Sequence, residues 1–257
     1  MPSQSFKIRI AKNEGLIMSP SELIEFYFFG IPLKSADGKQ FPEHVLKSWI
    51  RYAQEEIEGY LNLKLTPQII EERHDFNRQD YSDWGFIRCS YPVVSAIALT
   101  GNINNVEQVV YPVEWLSARK TNDNTSYFRN LYTVPSGATA AQYSGVMPVS
   151  GYFGAAHIPN YWKATYYTGF SKTPSDILNA VGKMASINLF HVMGDIILGA
   201  GIASQSIGID GLSQSISSTS SATNSGYGSR IVGYLTDLKT NIPRLKAKYD
   251  GFNMTSL

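Results

Sequence analysis

The side chains able to do chemistry gather most densely between residues 71 and 83, where Glu71, Glu72, His74, Asp75, Asp80 and Asp83 lie close together. Carboxylates beside an imidazole could ligate a divalent metal or act as a general acid/base pair. The local register argues against both. Gln68 to Phe76 reads as a strand, and successive strand side chains point to opposite faces, so Glu72 and His74 share one face while Glu71 and Asp75 take the other. His44 falls in the first turn of a predicted helix, His157 in a loop before Pro159, and His191 inside an apolar helix. None has a second histidine or cysteine at ligand spacing. The single cysteine, Cys89, excludes an internal disulfide, fits folding in a reducing cytoplasm, and in a half-buried strand suits packing better than nucleophilic attack. No Gly-x-Ser-x-Gly elbow is present, and Gly199, Gly201, Gly208 and Gly211 are not followed by the Gly-Lys-Ser/Thr of a phosphate loop. Tyr161, Trp162, Tyr166 and Tyr167 could stack nucleobases, but only Lys163 and Lys172 bring positive charge nearby. The expectation is a chain with no catalytic residues, no metal and no cofactor.

The elements that would position these groups follow from periodicity. Ser19-Pro20-Ser21-Glu22 is a helix start: a capping hydroxyl, proline at the first turn and a glutamate that closes a capping box. That helix runs through Leu23 to Phe29, and Gly30 and Pro32 stop it. A second, longer helix begins near Pro42, with Leu46, Trp49, Ile50, Ala53, Ile57, Tyr60 and Leu61 at helical spacing. From Ile69 to Phe170 the chain becomes β-rich, with strands expected over Gln68 to Phe76, Gly85 to Ser90, Val93 to Gly101, Val113 to Ser117, Tyr127 to Val134 and Trp162 to Thr168. Trp84-Gly85, Gly101-Asn102, Asn122-Asp123-Asn124 and Ser136-Gly137 read as turns between them.

Pro174-Ser175-Asp176 restarts helix, with Ile177, Val181, Met184, Ala185 and Asn188 on one face, ending near Gly199. Ile202 to Ser229 is rich in Ser and Gly, and reads either as a hairpin turning at Asp210-Gly211 or as a flexible linker. A final helix from Ser229 carries Ile231, Leu235, Leu238, Ile242 and Leu245, with a break or kink expected at Pro243. The fold class expected is therefore α+β: a helical core of about four helices interrupted by a β-rich insertion domain. The organisation expected is residues 1–68 as the N-terminal helical part of the core, 69–170 as the insertion, and 171–257 as C-terminal helices with a Ser/Gly-rich loop at 202–229.

Composition bounds the partners. Lys+Arg 22 against Asp+Glu 21 leaves a net charge of +1, so no global attraction to nucleic acid or anionic membrane is encoded. Charged residues make up only 17% while 16 tyrosines and 12 phenylalanines are present, a chemistry suited to large protein interfaces. The N-terminus lacks a secretory pattern, so the mature chain is expected to be the translated one. The apolar window Met184 to Ala203 contains Asn188, His191 and Asp195 and is interrupted by glycines, which favours a buried helix end over a membrane span.

Taken in order, these elements resemble the head-to-tail connector, or adaptor, family of tailed bacteriophages. The resemblance is carried by Ala53, Gln54, Ile57, Glu58 and Leu61 in the long helix, by Ile70-Glu-Glu-Arg-His-Asp-Phe after it, by Tyr91-Pro92-Val93-Val94-Ser95, and by Tyr167-Thr168-Gly169-Phe170 with Pro174-Ser175-Asp176-Ile177 and Ala180. Residues 104–159 match nothing in it. It implies a structural virion protein at the neck, assembled in the host cytoplasm. The chain would form a homo-oligomeric, twelvefold ring between the portal protein and the next neck or tail protein. DNA would cross that ring without sequence-specific binding, and no membrane is involved. By position in the chain it implies portal contact through Arg244, Lys246, Lys248, Tyr249 and Phe252. The alternatives are another neck, tail-terminator or baseplate component, or a carbohydrate-binding attachment module using Trp115 or Trp162.

Overall fold

The computed structural model describes residues 15–35, 38–77, 86–118, 128–134, 157–198, 204–209, 212–217 and 227–249, with backbone alone considered for 195–198, 204–209 and 212–217. The fold is α+β, as expected. Two compact units result: Met1–Leu61 with Lys172–Lys248, and Asn62–Ser171 with Tyr249–Leu257.

The helical unit starts with α1 (Pro20–Tyr27), whose capping box is formed as the sequence requires: the Glu22 amide donates to Ser19 Oγ at 3.2 Å and Glu22 Oε2 accepts from the Ser19 amide at 2.7 Å. Helix α2 (Glu43–Leu61) buries Leu46, Ile50, Ala53, Gln54, Ile57 and Leu61. Trp49 is only half-buried, and Tyr60, placed with the apolar face by periodicity, is 47% exposed. Helix α3 (Ser175–Leu198) is the centre of the unit, because residues on most of its circumference are buried: Ile177, Val181, Ala185, Ser186, Leu189 and Phe190. Asn188, expected on its inner face, is exposed. Phe28 stacks on Phe190 at 4.6 Å.

Gly182 allows α1 to lie against α3, since a Cβ there would overlap the Tyr27 ring, whose hydroxyl reaches the Asn179 carbonyl at 3.3 Å. Of the break or kink expected at Pro243 the break is absent, because helix α4 (Gly228–Tyr249) runs through it. It buries Ile231, Leu238 and Leu245 at seven-residue spacing and leaves Leu235 48% exposed. Strands β8 (Ser204–Ile209) and β9 (Leu212–Ser217) pair antiparallel, with Ile209 opposite Leu212, as a hairpin requires; Asp210 and Gly211, the turn expected, lie outside the described residues.

In the second unit, β1 (Gln68–Asn77), β7 (His157–Thr168), β3 (Ser95–Ile103) and β4 (Val106–Tyr111) form an antiparallel sheet in the order β1-β7-β3-β4. A smaller sheet runs β2 (Phe86–Arg88), β6 (Asn130–Thr133), β5 (Leu116–Ala118). Apolar side chains of both, including Phe76, Ile87, Leu99, Leu131 and Trp162, make one core. Three expectations are corrected. His157 and Pro159 are not in a loop; they open β7, where β1 alone pairs it, because the ladder with β3 stops at Gly101 opposite Trp162. Val113–Trp115 forms a 3-10 turn and only Leu116–Ala118 continues as strand. Gly101-Asn102 is not a turn but the interior of β3; the turn comes at Asn104 and Asn105, whose φ values of 52° and 64° suit a two-residue hairpin.

Candidate functional site

Strand register carries Glu72 and His74 to the inner face of the first sheet, and their side chains meet: His74 Nε2 lies 3.0 Å from Glu72 Oε1. The same oxygen accepts from the Ser90 amide at 2.9 Å and from the Tyr166 hydroxyl at 3.0 Å, and the Tyr91 amide donates on to that hydroxyl at 3.2 Å. The structure thus brings together two residues that the sequence placed on one face, and adds Tyr166 and Cys89, which the sequence did not connect with them. Tyr166 is opposite Ile70, two residues from Glu72, so the diagonal contact required a register that composition does not reveal.

Burial alone would push the Glu72 carboxyl up, yet the hydrogen bonds from His74 and Ser90 outweigh it and hold the group down at about 2. The Cys89 thiol behaves oppositely: burial first, then the neighbouring Glu72 charge, push it far above its usual range. At 2% exposure it presents no accessible thiolate. Three protein groups converge on this one carboxylate oxygen, which makes Glu72 a hub joining β1, the 89–91 segment and β7.

On the outer face, Glu71 pairs with Lys163 at 3.1 Å, and Asp75 accepts from the Asn160 amide at 2.7 Å with His157 3.9 Å away. Asn160 has φ of 51° and sits at the register shift opposite His74 to Phe76. This bulge turns consecutive residues Tyr161 and Trp162 both into the interior, at 1% and 0% exposure. Trp162 is therefore no platform for a sugar ring. Asp80 and Asp83 lie outside the described residues. Among the described residues no group of three His, Cys, Asp or Glu side chains could hold a metal ion, and no helix is long and apolar enough to cross a membrane. His44 sits in the first turn of α2 and His191 in α3, each apart from the others.

The residues implied for partner contact are divided by the helix they share. Arg244 and Lys248 border a groove of about 260 Å³ that α3 lines with Asp176, Asn179, Ala180 and Lys183, at i, i+3, i+4 and i+7. Its floor is apolar, from Ala180, Leu238 and Leu245. Lys248 reaches Asp176 at 2.7 Å and Lys183 reaches Asp237 at 2.9 Å. Lys246 is exposed on the opposite side of α4, and both lysines stand in its last turn, where cations complement the helix dipole. Tyr249 is 1% exposed, so its ring is spent inside the chain; Phe252 lies outside the described residues.

Neither a family model nor a curated protein matches the chain. One solved structure to which it is similar is described as the neck of an empty GTA particle computed with C6 symmetry. The likeness has a TM-score of 0.40 and 19% identity, and it covers 67% of this chain and 77% of that one. It decides nothing about function. What the arrangement itself can do is narrower and physical: the ionisable cluster ties strands together, while the exposed side chains of α4 offer charge and apolar surface to a protein partner.

Proposed function

We propose that this chain is a structural part of a tailed-phage particle, a head-to-tail adaptor that forms a ring between the portal protein and the next neck or tail protein, with DNA crossing the ring. The observation that carries the reading is the order of elements: helices, an antiparallel β excursion, a long central helix, a Ser/Gly-rich hairpin and a last helix, in one chain. The positions that carry the family resemblance support it, since Ala53, Gln54, Ile57 and Leu61 are all buried and so fix the helix that precedes the excursion. No catalytic step is assigned: among the described residues the ionisable groups that converge on Glu72 tie β1, the 89–91 segment and β7 together.

In this reading the exposed Arg244 and Lys248, which share one side of α4, face the portal with the segment after Tyr249. Ring assembly uses broad, weakly charged surface, and the exposed Phe26 (72%) and Phe29 (87%) belong to it. The test is cryo-electron microscopy of virions with this chain carrying a fused density marker. Marker density in a symmetric ring directly below the portal is expected; virions whose necks lack it, or that place it at the tail terminus or baseplate, refute the adaptor role.

A further inference from the structure

Helix α4 has a second seam besides the one it buries. Its inner seam, Ile231, Leu238 and Leu245, packs in the helical unit. On the other side Val232 is 41% and Leu235 48% exposed, Ile242 is half-exposed, and Lys239 and Lys246 are exposed. These five positions fall at i, i+3, i+7, i+10 and i+14, one stripe along the helix. A solvated face has no need of a continuous aliphatic row with only cations between its members; such a row is what a helix presents to another helix.

The same unit displays the complement. Opposite the buried face of α2, Tyr52 is 61% and Tyr60 47% exposed, and Glu55 and Glu56 are exposed between them. The α4 stripe carries only positive charge, and these four residues carry only negative charge. Both stripes mix apolar surface with that charge. We infer that the outward seam of α4 docks against the Tyr52–Tyr60 face of α2 in a second copy of this chain, with Lys239 and Lys246 meeting Glu55 and Glu56. Because the two faces are on different helices, a contact that uses one face from each copy leaves one of each free, and the contact propagates into a closed ring or a filament. The inference rests on the oligomeric part of the reading above and adds which surfaces meet.

The test is sedimentation velocity of the full chain over a wide concentration range. Wild type is expected to self-associate in a salt-sensitive way. Lys239→Glu with Lys246→Glu, and separately Glu55→Lys with Glu56→Lys, should each weaken association about tenfold or more. The four changes together should bring it back to within about threefold of wild type. Circular dichroism and melting of each variant confirm that the fold is kept, and Leu235→Asp gives an independent disruption of the apolar row. If association survives both reversals, or the combination does not restore it, the seam is overturned while a ring built on other surfaces stands. If only the lysine reversals weaken it, the seam meets some other acidic surface and the α2 assignment is overturned. A chain monomeric throughout overturns the contact but not the adaptor reading, since a portal could template the ring.

Discussion

Gly101→Ala should destabilise the β-rich unit by about 2–3 kcal/mol, although it adds only a methyl group. A Cβ at position 101 would overlap the hydroxyl and ring carbons of Tyr161. That ring cannot swing away cheaply: it is 1% exposed, with its centroid 4.7 Å from that of Trp162 and 5.8 Å from that of Phe76. Forcing extra atoms into a packed core costs about 1–3 kcal/mol, and each disturbed aromatic pair about 0.5–1.5 kcal/mol more. Against this, alanine restricts the unfolded chain more than glycine and returns about 0.4–1 kcal/mol. Urea unfolding followed by tryptophan fluorescence reads the difference directly, since Trp162 belongs to the same cluster; with a slope of about 2–3 kcal/mol per molar, the midpoint should fall by roughly 1 M. Tyr161→Ala supplies the internal control. It is itself costly, by about 3–5 kcal/mol, but it vacates the space a methyl needs, so adding Gly101→Ala to it should cost about 0.5 kcal/mol or less. A Gly101→Ala protein within 0.5 kcal/mol of wild type, or an undiminished cost in the Tyr161→Ala background, would show that glycine is not required there for packing.

The other glycine contact makes a contrasting case: Gly182→Ala meets the far end of a half-exposed Tyr27, which can swing outward, and alanine regains about 1 kcal/mol of helix propensity, so calorimetry should show a net change under about 1 kcal/mol. The Glu72 carboxyl, held down from 4.5 to about 2, stabilises the folded state above pH 4.5, and that contribution is lost as pH falls toward 2. Linkage sets it at about 3 kcal/mol at most, and partial solvent screening leaves about 1–2, so Glu72→Gln should flatten the acid limb of the stability curve by that amount. Gln54→Leu should strand the buried Ile17 amide, which now donates to Gln54 Oε1 at 3.1 Å, costing about 1–3 kcal/mol and speeding hydrogen exchange at Ile17.

The helices were readable because each is amphipathic or capped by local chemistry. Ser19 and Glu22 cap α1 with atoms three residues apart, and no tertiary information is needed to foresee that. Where reading by period went astray, a neighbour was the reason. Gln54 is polar and was not placed on the buried face, yet it is 7% exposed because its amide satisfies both the Ile17 N–H and, at 3.3 Å, the Gly15 carbonyl. Buried polar residues of this kind are chosen by the backbone that crosses them, and a single helix pattern carries no trace of that segment. Likewise Leu235 and Ile242 have helical spacing with Leu238, but spacing alone does not say which of two seams the chain itself covers.

The sheet shows the opposite relation, since its decisive features are departures from alternation. Strand β4 went unforeseen because a register shift between Gly101 and Asn102 leaves Gln108 without a partner and breaks the two-residue rhythm of Val106 to Tyr111. Composition points to a turn at Gly101-Asn102, but there the glycine serves the Tyr161 ring, and the turn lies at Asn104-Asn105, where asparagine takes the left-handed conformation. The Glu72 cluster was half legible: alternation puts Glu72 and His74 on one face, but only the β1 to β7 register brings Tyr166 to the same oxygen. Beyond that stretch the ladder shifts between His74 and Phe76, at the bulge where Asp75 accepts the Asn160 amide. A residue whose side chain points away from the cluster therefore holds the bulge, and exchanging Asp75 for Ala should loosen it, shift Tyr161 and Trp162 out of their paired burial and lower the urea midpoint read by tryptophan fluorescence.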